Sequence, residues 1–207
     1  HYCSRRQRQM CIRDSLWDEI RRNSNLEFDS TRSEIISAAD KYDGHQYLIN
    51  RLSKNGQRYL YYTVKEALKK GLPVELSLIP FVESQFDPYA QSSTGASGIW
   101  QFIPSTAREN GLKKNWWYDG RRDILASTEA AYTFLTSLYE KYDDWLIAIA
   151  AYNAGPSRIR REIEKNKSNG LPTDFWSLNL PREKNDYVPK ILSILEVIRK
   201  PNKYNIE

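Results

Sequence analysis

The 207 residues are enough to bury one real core and point to one domain or slightly more, which excludes a small stapled scaffold. Hydrophobic residues at 40% and charged residues at 28% are globular values, whereas aromatics at 13%, with six Trp and fourteen Tyr, exceed ordinary packing needs and fit a chain that lines a cleft as well as a core. Of the net charge of +5, three units come from Arg5, Arg6, Arg8 and Arg13 against Asp14, so the body is only mildly basic, with no concentrated stripe of the nucleic-acid-binding kind.

Residues 1–14 hold both cysteines, Cys3 and Cys11, and read as a linker, truncation or assembly scar set apart from the fold. The body therefore has no thiol for a disulfide or thiolate metal site. His1 and His45 are the only histidines, which argues against a His-based triad or a multi-histidine zinc site. No apolar run approaches the length of a membrane helix, and the first residues lack the apolar core of a signal peptide.

Residues 15–71 are expected to form a helical lead-in. Ser15 to Ala39 is polar with scattered apolar positions, and Tyr47, Leu48, Leu52, Tyr59, Tyr62 and Leu68 recur at helical spacing up to a stop at Gly71-Leu72-Pro73. Asn55-Gly56 is expected to split that helix. Val74 to Phe86 is a mostly apolar helical stretch in which Pro80 is expected to bend the chain or mark a turn. Asp87-Pro88 then breaks the helix, and Gln91 to Gly98, QSSTGASG, is a small-residue loop able to lie against a ligand. A helix resumes near Pro104 and stops at Asn110-Gly111. Ala126 to Tyr142 carries apolar residues at steps of three and four, and Asp143 to Ala154 is apolar nearly all round, so it belongs in the middle of the protein and ends at Gly155-Pro156. Charged Ser157 to Lys167 and then Tyr187 to Ile198 complete the helices, before a tail over 201–207. No strand shows convincing alternation, so the fold class is mainly α.

In ESQFDPYAQSSTGASGIWQ, Glu83 to Gln101, an acid ends an apolar segment and precedes a hydroxyl-rich loop, an aromatic and an amide. A carboxyl among Phe81, Val82 and Phe86 is desolvated, which raises its pKa and lets it hold a proton for donation to a glycosidic oxygen. A surface carboxylate or an Arg-paired helix end is the competing reading of the same residue.

ESQFDPYAQSSTGASGIWQFIPSTA resembles the first motif of the lytic transglycosylase family, and AYNAGPSR (Ala151 to Arg158) and YVPKIL (Tyr187 to Leu192) resemble its two later segments. IWQFIPSTA, YDGRRD and TDFWSLNLP add a similarity to the membrane-bound murein branch of that family. The likeness covers roughly Leu72 to Lys200, which becomes the expected catalytic domain. It implies a lysozyme-like helical fold of the goose-type kind with a saccharide groove. It also implies Glu83 as general acid and then base, cutting between N-acetylmuramic acid and N-acetylglucosamine with closure of a 1,6-anhydro ring.

The same likeness implies substrate contacts for Ser92, Gln101, Tyr152, Asn153, Tyr187 and Trp100. Within that set Tyr152 is expected to hydrogen-bond the catalytic carboxyl, Tyr187 to line the groove and the Trp100 ring to cover an N-acetyl group or wall the groove. For Ser92 a loop-turn role competes, for Asn153 helix termination and for Tyr187 core packing. Trp116, Trp117 and Trp176 are expected to pack in the core in preference to stacking on sugars. Asp87, Asp119 and Asp123, the nearest candidate second carboxylates, are expected in turn or capping roles. The partner implied is the glycan strand of peptidoglycan, acted on by a monomer in the cell envelope with no cofactor, metal or nucleic acid. Any membrane association would come through a segment outside this chain. A goose-type muramidase and an inactive peptidoglycan-binding module are the alternatives.

Overall fold

The computed structural model describes residues 16–42 and 46–204, with side chains described outside 42–55. The expected head over 1–14, including Cys3, Cys11 and His1, lies outside the described residues, as does His45. The helices are α1 over 16–23, α2 (Ser33–Ala39), α3 (Gln46–Lys69), α4 (Ile79–Ser84), α5 (Pro104–Glu109), α6 (Ile124–Tyr142), α7 (Trp145–Ala154), α8 (Pro156–Ser168), α9 (Arg182–Asn185) and α10 (Tyr187–Arg199). Among the described residues the extended pairings are isolated bridges, Gln91 with Ser97, Ser97 with Phe102 and Lys114 with Asp119, and no strand forms.

Two aspartates start the central helices. Asp123 Oδ1 accepts from the backbone N–H groups of Leu125 (2.9 Å) and Ala126 (3.0 Å), and Asp144 Oδ1 from those of Leu146 (2.7 Å) and Ile147 (3.1 Å). Each such cap stabilises its helix by about 1 kcal/mol. Between them Asp143 turns the chain in the left-handed region (φ 52°), so α7 folds back on α6. Consecutive burial of Ile147 to Ala151 shows α7 covered on every face, with α6, α8, α9 and α10 around it. This is the middle position its all-round apolarity predicts. Helix α10 is equally enclosed: Tyr187 to Ile198 is buried except at Lys190.

One expectation for the first half fails. Asn55-Gly56 does not interrupt α3, which runs unbroken from Gln46 to Lys69. The glycine answers a packing demand: a Cβ at residue 56 would meet the Phe86 ring at 3.0 Å. Of the two readings open to Pro80, a bend or a turn, the structure has the turn. Val74–Leu78 is a 3₁₀ turn, and Pro80 stands in the first turn of α4, where a missing N–H leaves no bond unmade.

The lead-in closes against the C-terminal helix. Leu16, Trp17, Ile20, Leu26, Ile35 and Ala39 join the core, and α2 packs on α10. Arg21 Nε donates to the carbonyl of Ile198 (2.8 Å) and Arg199 Nη2 to Ser24 Oγ (2.6 Å). Fully buried Glu75 accepts at Oε1 from Ser24 Oγ (2.7 Å) and the Leu26 N–H (2.9 Å), with the Arg199 guanidinium 3.6 Å away.

Candidate active site

Glu83 lies one residue from the end of α4, and the chain then passes through two non-glycine residues in the left-handed region, Gln85 (φ 55°) and Phe86 (φ 60°). Such conformations persist only where the surroundings hold them. Here Phe86 is buried against Gly56, while Ser84 Oγ lies within hydrogen-bond reach of the carbonyls of Ile99 (3.0 Å) and Pro80 (3.2 Å). The result fixes a half-buried carboxyl at the edge of a cleft of about 380 Å³.

The Tyr187 hydroxyl donates to Glu83 Oε1 at 2.6 Å. Burial pushes the Glu83 carboxyl above its ordinary value, opposed by hydrogen bonding from Tyr187 and Asn153 and by the positive charge of Lys184, with burial prevailing. The Tyr187 and Tyr152 phenols are pushed far above their usual value by burial and by the negative charge of Glu83, so both remain protonated. The site thus holds an acid that keeps its proton to higher pH than a free carboxyl does, and a phenol donor that steadies the anion once the proton leaves.

Ser92, Gln101, Tyr152, Asn153 and Lys184 line the cleft with Glu83, beside the apolar walls of Phe102 and Phe134. Ser92 is tied into its own loop: its Oγ accepts from the Ala96 N–H (3.0 Å) and pairs with Thr94 Oγ1 (2.9 Å). Gln101 stands at φ 50°, and its Nε2 donates to the carbonyls of Gly98 (2.8 Å) and Ala90 (3.2 Å). Both amide hydrogens are thereby committed to the backbone, leaving Oε1 as the acceptor. The Asn153 carbonyl accepts from Lys184 Nζ (3.1 Å).

Three expectations are corrected. The hydroxyl bound to Glu83 is that of Tyr187, whereas Tyr152 donates to the carbonyl of Trp100 (2.7 Å) and so anchors the loop. Trp100 does not wall the groove: its ring is fully buried, edge-on to Tyr132 at 5.3 Å, with Nε1 donating to Thr128 Oγ1 (3.0 Å). An indole satisfied in this way is a core group. Trp116 and Trp117 do the reverse, standing 86% and 88% exposed where core packing was expected. Trp176 is half-buried beneath the Arg32 guanidinium, 4.0 Å from the ring centroid.

The neighbouring aspartates are occupied elsewhere. Asp87 Oδ1 accepts from the Tyr89 N–H (2.8 Å) in a turn, and Asp123 caps α6. Asp119 forms a two-point ion pair with Arg121, Nη2 to Oδ2 at 2.6 Å and Nε to Oδ1 at 2.9 Å, which holds its carboxyl below the usual range. Among the described residues, Glu83 is the one carboxylate lining the cleft. No three His, Cys, Asp or Glu side chains among them come together as a metal would need.

Sequence reasoning missed Arg121 and Lys184. Arg121 is 5% exposed, and its Nη1 donates to the carbonyls of Gly95 (2.7 Å) and Phe102 (3.2 Å), pinning both ends of the segment that carries Ala96 to Gln101. The signal was its place in YDGRRD, where Asp two residues before Arg permits a local pair. Lys184 sits in the charged run PREKND and has no feature that separates it from a solvated lysine.

A largely helical frame with one desolvated acid at the edge of a polar cleft defines a lysozyme-like domain. Residues 61–173, more than half of the chain, match the family described as Transglycosylase SLT domain, and the chain belongs to that family. It is 42% identical over 173 residues to membrane-bound lytic murein transglycosylase D of Escherichia coli (strain K12), a match spanning 83% of this chain and 38% of that protein. A putative tributyltin chloride resistance protein of Alteromonas sp. (strain M-1) is 40% identical over 152 residues, covering 72% of each chain. Among solved structures, an inactive mutant of the lytic transglycosylase Slt from Pseudomonas aeruginosa superposes with a TM-score of 0.53 at 24% identity, over 97% of this chain and 36% of that one, a likeness of fold. No helix among the described residues is long and apolar enough to cross a membrane.

Proposed function

We propose that this chain cleaves the β-1,4 bond between N-acetylmuramic acid and N-acetylglucosamine in peptidoglycan without adding water, leaving a 1,6-anhydromuramic acid end. The observation that carries the reading is a lone desolvated carboxyl, Glu83, bound by a phenol that cannot lose its proton and facing a cleft with no second carboxylate among the described residues.

The protonated Glu83 donates to the glycosidic oxygen as the C1–O bond breaks, and the sugar's own acetamido oxygen stabilises the charge left on C1. Glu83, now an anion held by Tyr187, takes the proton from the muramyl O6 hydroxyl as that oxygen bonds to C1. The acid is regenerated and no water is consumed. Gln101 Oε1 is the acceptor available to an acetamido N–H, and Ser92 and Asn153 supply further polar contacts along the cleft.

Residues 72–200 form the catalytic unit on this reading, with 15–71 packed on it, and the chain works as a monomer at the cell envelope. Membership of the SLT family and the names of the murein transglycosylases it resembles support the assignment. A water-adding muramidase would need a base to activate the nucleophile, and the engagement of Asp87, Asp119 and Asp123 in turn, ion pair and cap counts against it.

Mass spectrometry of fragments released from purified peptidoglycan, beside Glu83→Gln, tests the reading. Anhydro ends that vanish in the variant are expected. Reducing muramic acid ends would sink it in favour of a muramidase, and binding without release would sink it in favour of a binding module.

A further inference from the structure

The loop that borders the Glu83 cleft has a second side. Ser92, Thr94 and Ala96 face the cleft, while Pro88, Tyr89 and Gln91 of the same stretch border another cavity, of about 630 Å³. Its far wall is the turn Lys113 to Gly120, KKNWWYDG, which carries Trp116 and Trp117. With Tyr89 at 75%, these are the three most exposed large hydrophobic side chains among the described residues.

The turn is built to hold those rings out. Asn115 Oδ1 accepts from the N–H groups of Trp117 (2.9 Å) and Tyr118 (2.8 Å), and the Asn115 N–H donates to the Tyr118 carbonyl (2.8 Å). The Gly120 N–H donates to the carbonyl of Lys113 (2.8 Å), and the Tyr118 hydroxyl to Asp123 Oδ2 (3.0 Å). The backbone thus keeps its shape without burying either indole. The two rings meet edge to face, centroids 6.1 Å apart and planes at 86°, and so offer flat faces in two directions. A surface ordered before its ligand arrives loses little further entropy on binding.

Chemistry selects the occupant. Flat aromatic faces match the C–H-rich faces of pyranose rings, and amides such as Gln91 and Asn115 match hydroxyl and acetamido groups. Exposed Lys114 and Arg122 match the carboxylates that lactyl groups and stem peptides bring to peptidoglycan. Arg122 has no carboxylate partner among the described residues; its Nε bonds only Ser97 Oγ, at 3.2 Å. Asp119 and Asp123 on the same cavity weigh against a phosphodiester chain.

We propose that Trp116 and Trp117, with Tyr89, form a second glycan-binding surface that holds an uncut stretch of peptidoglycan strand while another stretch lies at Glu83. This rests on the transglycosylase reading above. The surface retains the enzyme on polymeric substrate and plays no part in bond cleavage.

The test compares Trp116→Ala/Trp117→Ala with the unaltered chain in two assays. In co-sedimentation with insoluble peptidoglycan, each carried in a Glu83→Gln background so that the polymer persists, the double variant is expected to bind about tenfold more weakly, in keeping with the weight of exposed Trp anchors. In turnover of short soluble glycan strands with Glu83 intact, the same pair is expected to match the unaltered chain within about twofold. Trp116→Tyr/Trp117→Tyr, which keeps flat rings, should recover most of the binding. Unchanged sedimentation, an equal fall in both assays, or a Tyr pair as weak as the Ala pair overturns the proposal. If the unaltered chain yields no anhydro product from soluble strands, the transglycosylase reading fails, and the sedimentation result still judges the surface.

Discussion

Glu75 and Glu83 belong to the same short stretch of chain and meet opposite surroundings. Glu75 is fully buried, yet its Oε1 receives a hydroxyl, a backbone N–H and a nearby guanidinium, all from elements that must close for the fold to form. Glu83 is less deeply placed and receives a phenol, with Asn153 and Lys184 close by, and it opens onto a cleft. Depth alone does not make an acid catalyst. Glu75 spends its Oε1 on donors that close the fold, leaves Oε2 without a partner and reaches no open cleft, whereas Glu83 stands at an open edge where burial raises its pKa and lets it pass a proton on.

The largest effect expected from that contrast is on turnover: Glu83→Gln should lower the rate of anhydro product release by about 10³-fold, within the range for loss of a general acid and base. Glu75→Ala should instead act on the fold. It leaves Ser24 and the Leu26 N–H without their acceptor and Arg199 without its carboxylate, and should cost about 3 kcal/mol, read as a lower midpoint in urea, with turnover of the folded fraction retained. If Glu75→Ala abolished turnover without lowering stability, the division between the two glutamates would be wrong.

Smaller shifts sharpen it. Tyr187→Phe removes a donor that holds the Glu83 pKa down, so the alkaline limb of the pH–rate profile should move to higher pH while the peak rate falls about tenfold, a loss expected for one hydrogen bond to a charged group. A limb that stays put would separate Tyr187 from the titration of the acid. Smallest is a stability effect of opposite sign to that at Glu75. Because the folded protein raises the Glu83 pKa above its ordinary 4.5, the folded state is favoured fully below that value and loses the advantage as pH rises through the folded pKa. Glu83→Gln should therefore melt with the unaltered chain at acid pH and progressively above it as pH rises from about 4.5 through the folded pKa.

The helical frame was legible wherever one face or every face of a segment was apolar. The α6 spacing, the all-round apolarity of α7 and the Gly155-Pro156 stop gave those elements nearly residue for residue. Glu83 was legible as an acid ending an apolar segment. What stayed hidden depended on side-chain direction, which periodicity does not carry. Nothing in IWQ says that the indole turns inward to Thr128, or that Tyr187 and Tyr152 divide their hydroxyls between a carboxyl and a carbonyl. Asn55-Gly56 looked like a break because glycine weakens helices, and only the Phe86 ring across from it reveals why one is tolerated there.

That contact between Gly56 and Phe86 bears on where the molecule can be cut. The family match begins at residue 61, one turn and more downstream of the glycine, so a fragment trimmed to the match would discard the floor on which Phe86 rests. The left-handed pair after Glu83 would then lack its counterweight, and because the match ends at residue 173 the same fragment would also lack Tyr187, the donor to Glu83. An excised minimal unit has to keep Gly56 near one end and Tyr187 near the other.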